Sequence, residues 1–185
     1  MKCIILLGSR NPQGQTAQVV DALAEGFSSA GGDTEKVFLT ECELDSCRQC
    51  DRQGWGQCRS EGSCVIEDDF ASLVDKLRAS DVCVFATPVY FGSLSESMRA
   101  FLDRLRRITR HEAGKAGVAG KPATAVCVAG GGGGGAPQCS QHMEQTLNQA
   151  GLDTVDVLPV RRQNLSMKRE VARTVGKWLA CCPTS

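Results

Sequence analysis

The sequence of 185 residues has no excess charge of either sign, because 21 Lys and Arg residues balance 21 Asp and Glu residues. Nucleic acids and anionic membranes are bound through a basic field, so the chain is expected to bind neither. It also lacks any apolar run near the roughly 20 residues that span a bilayer. The N-terminal apolar stretch, Cys3–Leu7, is too short for the core of a signal peptide. We therefore expect a cytoplasmic protein with one domain over residues 1–185.

Cysteine is the residue type present in unusual number, with 11 of 185 residues. This fraction lies below the roughly 8–10% that marks a disulfide scaffold, and the odd count excludes complete internal pairing. In a reducing compartment, clustered cysteines indicate metal binding or redox chemistry, whereas scattered ones are small buried apolar residues. Cys3, Cys83 and Cys127 fall in predicted strands and are expected in the core.

Apolar runs alternate with segments of helical periodicity along the chain, which predicts an α/β fold with a parallel sheet and helices between the strands. Such sheets bind ligands beyond the carboxyl ends of their strands. Helices are predicted from Gln15, over Phe70–Leu77, from a capping box at Ser93 and Glu96 to Leu105, over Gln138–Ala150 and over Val171–Leu179. The predicted strands are Cys3–Leu7, Lys36–Thr40, Val82–Ala86, Ala123–Ala129 and Thr154–Val160.

The loop after the first strand, residues 8–16, combines two glycines, two hydroxyls, three side-chain amides and one cation. Backbone N–H groups at a helix N-terminus, supported by hydroxyls, bind phosphate well. A nucleoside-triphosphate loop is excluded, because five residues separate Gly8 from Gly14 and Gln15 replaces the required lysine. The dinucleotide pattern Gly-x-Gly-x-x-Gly is also absent. The loop favours a ligand ending in one phosphate; a polar turn capped by Thr16 is the alternative.

The loops after the third and fourth strands indicate a flat ligand. The segment Thr87–Ser93 contains a proline, a glycine and two adjacent aromatic residues, including the single tyrosine, Tyr90. Six consecutive glycines, Gly130–Gly135, follow the fourth strand. Because glycine is entropically costly, such a run at a strand end indicates close approach of the backbone to a ligand. A phosphate at one loop and a planar ring at the other two describe flavin mononucleotide (FMN).

Four stretches together carry a family resemblance: residues 8–16, Cys64–Phe70, Thr87–Ser93 and Phe101–Arg104. In this order and at these spacings they resemble the NADPH-dependent FMN reductase and iron-sulfur flavoprotein family, over about residues 1–160. The resemblance implies a flavodoxin-like three-layer sandwich with strand order 2-1-3-4-5 and helices on both faces. It also implies noncovalent FMN, and a homodimer or homotetramer with the flavin ring near a subunit interface.

The resemblance places the FMN phosphate on the first loop and the ring against the other two. One departure is that the family's loop usually has Asn just before the Thr, where this chain has Gln15, an amide that can still donate. The candidate cofactor-binding residues are Ser9, Arg10, Asn11, Gln13, Gly14, Gln15, Thr16, Pro88, Val89, Tyr90, Phe91, Gly92, Ser93, Gly130, Gly131 and Gly132.

A cysteine-rich insert at about residues 41–66 contains Cys47, Cys50, Cys58 and Cys64, in the spacing C-x2-C-x7-C-x5-C. Four thiolates can hold a [4Fe–4S] cluster or a zinc ion. Iron-sulfur flavoproteins resemble this segment, but they usually have two residues in the second interval, which here is five residues longer. The segment is also compatible with a redox-active disulfide between the first two cysteines, or with free thiols on a loop.

The predicted activity is transfer of electrons from NAD(P)H through bound FMN to a quinone, another flavin or an iron–sulfur acceptor. The cofactor supplies the reactive group, so no catalytic side chain is predicted. The acceptor is a small molecule or a protein. Two different functions stay open: a non-enzymatic iron-sulfur flavoprotein that carries electrons, and a zinc-stabilised binding module without flavin. Neutral net charge disfavours the carrier, and the module would leave the phosphate loop and the glycine run unexplained.

Overall fold

Five parallel strands form the centre of the structure, a computed structural model that describes residues 1–181. Their order, β2-β1-β3-β4-β5, confirms the predicted arrangement. The three central strands are almost wholly buried, which explains why they are visible in the sequence as continuous apolar runs. The strands are β1 (Lys2–Leu7), β2 (Asp33–Phe38), β3 (Val82–Pro88), β4 (Pro122–Ala129) and β5 (Asp153–Arg161).

Helices cover both faces of the sheet, as the flavodoxin-like prediction requires. Helices α1 (Gln15–Ser29) and α7 (Leu165–Leu179) pack on one face, and α3 (Phe70–Ala79), α4 (Glu96–Ile108) and α6 (Ala136–Gln149) pack on the other. Two short helices, α2 (Gln57–Ser60) and α5 (Glu112–Lys115), lie in connecting segments. Within the described range, none of the helices combines the length and the apolarity needed to cross a membrane.

Two glycines allow α1 and α7 to pack with their backbones in contact. A Cβ atom on Gly26 would overlap the Arg173 carbonyl oxygen, and one on Gly176 would overlap the Leu23 carbonyl oxygen. Any larger residue at either position would push the helices apart. This close packing anchors α1, whose N-terminus follows the predicted phosphate loop.

The predicted boundaries of the second strand are wrong by about three residues at its start. The strand begins at Asp33, where its register pairs with Lys2 of β1, and gives way to a 3-10 turn at Leu39–Glu41. It is an edge strand with partly exposed, polar side chains at Thr34 and Glu35. Because only one side is paired and few residues are buried, it has no apolar run by which to recognise its start.

The predicted capping box at Ser93 and Glu96 is also wrong. Helix α4 begins at Glu96 itself, with Ser95 in extended conformation as its N-cap and no side-chain capping bond. Ser93 instead closes a tight turn with Tyr90 and accepts a hydrogen bond from Arg99. The spacing fits a capping box, but the backbone of Ser93 is held in the turn and its hydroxyl oxygen accepts from Arg99.

The prediction that Cys3, Cys83 and Cys127 are core residues is confirmed, because each is at most 1% exposed. Burial raises the pKa of the Cys83 thiol to about 12, so this side chain stays neutral. Cys139, on α6, is also fully buried. Cys182 lies outside the described residues. The buried thiols serve as small apolar groups.

A buried ion pair joins α4 to both ends of the cysteine insert. The terminal nitrogens of Arg104 lie 2.6 and 2.9 Å from the two Asp68 carboxylate oxygens, and the two side chains are 1% and 7% exposed. Arg104 also donates to the Asp45 carbonyl oxygen, and its guanidinium lies 4.1 Å from the centre of the Phe70 ring. In return, Asp68 accepts from the backbone N–H groups of Asp45 and Phe70. One buried ion pair therefore fixes both ends of the insert against α4.

Replacement of the cation should be strongly destabilising. Arg104→Met would leave the Asp68 carboxylate buried without its partner, which costs about 3–5 kcal/mol of unfolding free energy. Urea unfolding at neutral pH measures this loss. The matched control is Arg106→Met two residues along, because Arg106 pairs with Asp103 at the surface and its loss should cost less than about 1 kcal/mol. Equal costs for the two variants would contradict the account.

The Arg104–Asp68 ion pair should also make the free energy of unfolding depend on pH in the acid range. Burial raises the pKa of Asp68, but the hydrogen bonds from Arg104 and from two backbone N–H groups outweigh it and lower the pKa below its ordinary value. Its stabilising contribution is therefore present above about pH 4, the unfolded pKa, and is lost as the pH falls through the folded pKa.

We expect Asp68→Asn to be much less stable than the wild type at pH 7, with the gap narrowing as the pH approaches 3. Urea unfolding over this range measures the gap. Asp103→Asn, at a surface ion pair, is the control and should show a small gap throughout. A gap for Asp68→Asn that does not change with pH would show that the lowered pKa contributes nothing.

Candidate functional site

The loops that follow β1, β3 and β4 meet at one edge of the sheet. The Gly8 N–H donates to the Ala86 carbonyl oxygen at 2.8 Å, which holds the first loop beside the end of β3. A Cβ atom on Gly8 would overlap the Ser95 hydroxyl oxygen, so glycine is required for this close approach to α4. The three loops are therefore brought together by the strand order itself.

A cavity of about 380 Å³, here called the glycine cleft, lies between these loops. Its size falls within the range of small-molecule sites. Nine of the predicted cofactor-binding residues line it, from all three loops. The lining residues are Ser9, Gln15, Thr16, Pro88, Val89, Tyr90, Val128, Ala129, Gly130, Gly131, Gly132, Gly133 and Gly134.

The first loop is shaped as an anion site at the N-terminus of α1. The Asn11 side-chain oxygen accepts from the Gln13 N–H at 2.9 Å, and the Asn11 carbonyl oxygen accepts from the Gly14 N–H at 3.1 Å. Gly14 is the N-cap of α1, and no side chain caps the helix. The first-turn N–H groups therefore remain available to a ligand, in the direction that the helix dipole favours.

The polar groups of this loop can form hydrogen bonds of the kinds that the phosphate and hydroxyl groups of FMN require. The Gln15 side-chain oxygen is buried and has no hydrogen-bond partner within the described residues, so a ligand hydroxyl would satisfy it. Ser9 and Thr16 are 7% and 4% exposed and line the cleft. Asn11, Gln13 and Gly14 do not line it; they form the turn that presents the others. Arg10 lines a neighbouring cavity instead.

The loop after β3 presents backbone and aromatic surface at the rim of the cleft. Tyr90 and Ser93 exchange two backbone hydrogen bonds, of 3.0 and 2.9 Å. Phe91, between them, has a φ of 52° in the left-handed region and an entirely exposed side chain. Phe91, Gly92 and Ser93 therefore stand outside the cleft lining, in contrast to Pro88, Val89 and Tyr90.

The glycine run closes the opposite side of the cleft. Gly135, with a φ of 81°, comes so near that a Cβ atom would lie 2.8 Å from the Gly92 Cα atom, which ties the last loop to the one after β3. Around Gly130, Gly132 and Gly134, by contrast, a Cβ atom would meet no described atom within 4 Å. The run is thus open towards the cleft, where side chains would otherwise fill the space that a planar ring needs.

A second cavity of about 500 Å³ lies against the glycine cleft, and Tyr90 lines both. No motif in the sequence indicates it, because its walls come from the 3-10 turn after β2 and from the N-terminus of α4. Sequence reasoning likewise missed Val128 and Ala129, which are ordinary apolar strand residues. The second cavity is lined by Gly8, Arg10, Leu39, Thr40, Cys42, Leu44, Ser46, Tyr90, Ser95, Glu96, Ser97 and Ala100.

The four cysteines of the predicted metal set, Cys47, Cys50, Cys58 and Cys64, line one pocket beside α4. Cys64 faces the Arg104 guanidinium, whose Nε is buried without a hydrogen-bond partner in the described residues. The donor chemistry fits a metal–thiolate centre. However, among residues 1–181 no three His, Cys, Asp or Glu side chains converge closely enough to hold a metal ion.

Comparison with known proteins identifies the family. The model of NADPH-dependent FMN reductases matches residues 1–167. An iron-sulfur flavoprotein of Methanocaldococcus jannaschii is 33% identical over 106 residues, which cover 57% of this chain and 52% of that protein. A protein of Syntrophobacter fumaroxidans named NAD(P)H dehydrogenase (quinone) is 31% identical over 112 residues, 58% of this chain and 50% of that one.

The chain spans about half the length of the curated relatives it matches. Among solved structures, a flavodoxin from the domain Archaea aligns with 97% of this chain and 96% of its own, with a TM-score of 0.62 and 14% identity. This likeness confirms the flavodoxin-like fold. The family model matches residues 1–167, and the fold and the three converging loops agree with it. The chain therefore belongs to the NADPH-dependent FMN reductase family.

Proposed function

We propose that the protein is an FMN-dependent oxidoreductase that takes electrons from NAD(P)H. The observation that carries this proposal is the glycine cleft, which brings an anion loop, an aromatic loop and an open glycine run to one edge of the sheet. Bound FMN would supply the hydride chemistry, because it accepts two electrons and can release them. The protein's own task is to hold and orient the ligands.

Each loop has a distinct part in this task. Ser9, Thr16 and the first N–H groups of α1 would bind the phosphate by charge-assisted hydrogen bonds. Pro88 and Tyr90 would support the ring from one side, and the backbone of the glycine run would approach it from the other. No side chain is assigned a proton-transfer role; neither His111 nor His142 lines the cleft.

We propose a quinone as the acceptor, in the cytoplasm, in preference to another flavin or an iron–sulfur centre. The name of the Syntrophobacter relative supports a quinone. The second cavity supports it too, because it adjoins the glycine cleft at Tyr90 and has room for another planar molecule.

We also propose that the enzyme works as a homodimer or homotetramer with the ring near a subunit interface. Phe91 supports this arrangement, since its side chain is entirely exposed at the rim of the cleft on a left-handed backbone. A bulky residue held in that conformation costs free energy. Cover by a second subunit would offset that cost through apolar burial.

For the cysteine pocket we propose a metal–thiolate centre, either a [4Fe–4S] cluster or zinc. The common pocket of the four cysteines and the unpartnered Nε of Arg104 support it, as does the name of the Methanocaldococcus relative. Since the thiols do not converge in the structure, no electron-transfer step is assigned to this centre.

Loss of the phosphate-loop hydroxyls should weaken FMN binding. A hydrogen bond to a charged group is worth about 1.5–3 kcal/mol, so Ser9→Ala and Thr16→Val should each raise the FMN dissociation constant about tenfold or more. Titration of apoprotein with FMN, followed by flavin fluorescence, measures this. Thr174→Val, on the exposed face of α7, is the control and should bind FMN as the wild type does. Unchanged affinity in both loop variants would refute the phosphate assignment.

The activity is tested by steady-state oxidation of NADPH and NADH with a benzoquinone or free FMN as acceptor. We expect the FMN-loaded protein to oxidise the nucleotide, and to do so faster with the quinone than with free FMN as acceptor. At limiting FMN, Thr16→Val should lose this oxidation rate, and added FMN should restore it. If the loaded protein oxidises neither nucleotide with either acceptor, the proposed function is wrong.

Metal content decides the cysteine proposal. Protein purified without oxygen should contain iron with sulfide, or zinc, and Cys47→Ser and Cys58→Ser should lose most of it. Cys42→Ser is the matched control, because Cys42 precedes the pocket and does not line it. Wild-type protein without either metal, or equal losses in all three variants, would contradict a metal–thiolate centre.

A further inference from the structure

A third cavity lies at the C-terminal end of α4, beside the cysteine pocket. It has a volume of about 400 Å³ and is lined by Trp55, Arg106, Arg107, Arg110 and Gln149. Helix α4 starts beside the second cavity, which adjoins the glycine cleft at Tyr90, and runs for 13 residues to Ile108, so its last turn lies about 20 Å from its start. The cavity, here called the arginine cavity, is therefore separate from the FMN site of the same chain.

The charge of the arginine cavity is strongly positive. Three of its five lining residues are arginines, and Arg106 alone has a carboxylate partner, Asp103, at 2.7 Å. Within residues 1–181 no ion pair forms to Arg107 or Arg110. Guanidinium groups in such an array bind phosphate oxygens by paired hydrogen bonds. Cations at a helix C-terminus also stabilise the helix dipole, but the dipole explains neither the concavity nor the aromatic wall.

That wall is the indole ring of Trp55, held in place from two sides. The guanidinium of Arg107 lies 5.0 Å from the indole centre, and the ring of His111 packs edge-on at 5.3 Å. Arg107 also donates to the Gly54 carbonyl oxygen, which fixes the loop next to the ring. Trp55 is nevertheless only half-buried, so part of the indole stays accessible to a planar ring that enters the cavity beside the arginines.

Trp55 lies in the seven-residue interval between Cys50 and Cys58. The hydrogen bond from Arg107 to the Gly54 carbonyl oxygen holds this interval over the end of α4. Trp55 and Arg107 line both the arginine cavity and the cysteine pocket, so the two share a wall.

We propose that the arginine cavity binds a nucleotide-sized organic phosphate, with the phosphate on the arginines and the planar base against Trp55. The Gln149 amide, which accepts from Arg106 at 3.3 Å, offers a further polar contact to the ligand. This site is additional to the FMN site and does not depend on the oxidoreductase activity.

The test uses three probes on FMN-saturated protein, so that the flavin phosphate loop is filled. Adenosine diphosphate presents both ring and phosphate, pyrophosphate only the phosphate, and adenosine only the ring. The chain has two tryptophans, so Trp178→Phe leaves Trp55 as the only indole reporter. We expect adenosine diphosphate to quench Trp55 fluorescence with a dissociation constant at least about tenfold lower than that of adenosine. If the protein does not retain FMN, the titration is repeated on the protein as purified, which separates failure of this proposal from failure of the proposed function.

Variants then assign the contacts by calorimetry. Arg110→Gln, at an exposed lining position, should weaken adenosine diphosphate and pyrophosphate alike, about tenfold. Trp55→Leu should weaken adenosine diphosphate and leave pyrophosphate unchanged. Arg169→Gln, an exposed arginine on α7, should alter neither. The proposal is overturned if adenosine diphosphate does not bind, if Arg110→Gln binds it as the wild type does, or if pyrophosphate binds as tightly as adenosine diphosphate.

Discussion

The buried ion pair between Arg104 and Asp68 is the constraint on which the non-sheet part of this molecule depends. A guanidinium with 1% exposure is tolerated only because a carboxylate, backbone carbonyl groups and an aromatic ring surround it. Those partners lie at the two ends of the cysteine insert, so one charged contact fixes where the insert starts and ends. Everything that the insert presents, including the cysteine pocket and Trp55, is positioned relative to α4 by this anchor.

Helix α4 thereby links three chemically different regions. Its N-terminus packs against Gly8 and borders the second cavity. Its middle carries Arg104 beside the cysteine pocket, and its last turn lines the arginine cavity. The glycine cleft follows from the topology of the parallel sheet, which brings the carboxyl ends of β1, β3 and β4 together. The other two regions come from one insert and one face of α4.

The sheet and the convergence of three loops at its edge were predictable from the sequence, because buried parallel strands are continuous apolar runs and the loops after them are rich in glycine and hydroxyls. The second cavity was not, and neither were three other features. The start of β2 has polar edge-strand residues such as Glu35, which give no apolar run. Ser93 has the spacing of a helix cap, but its hydroxyl accepts a hydrogen bond from Arg99 instead. The arginine cavity joins Trp55 to residues 50 or more positions away, and no local pattern encodes such a contact.

The central claim, that this fold holds a redox-active flavin, is tested most directly by the visible spectrum of FMN-reconstituted protein on anaerobic addition of one equivalent of NADPH. The account predicts a protein-bound flavin spectrum that bleaches fully in a single turnover and returns on addition of a quinone. A protein that stays colourless after incubation with FMN, or a bound flavin that NADPH does not bleach, would contradict it.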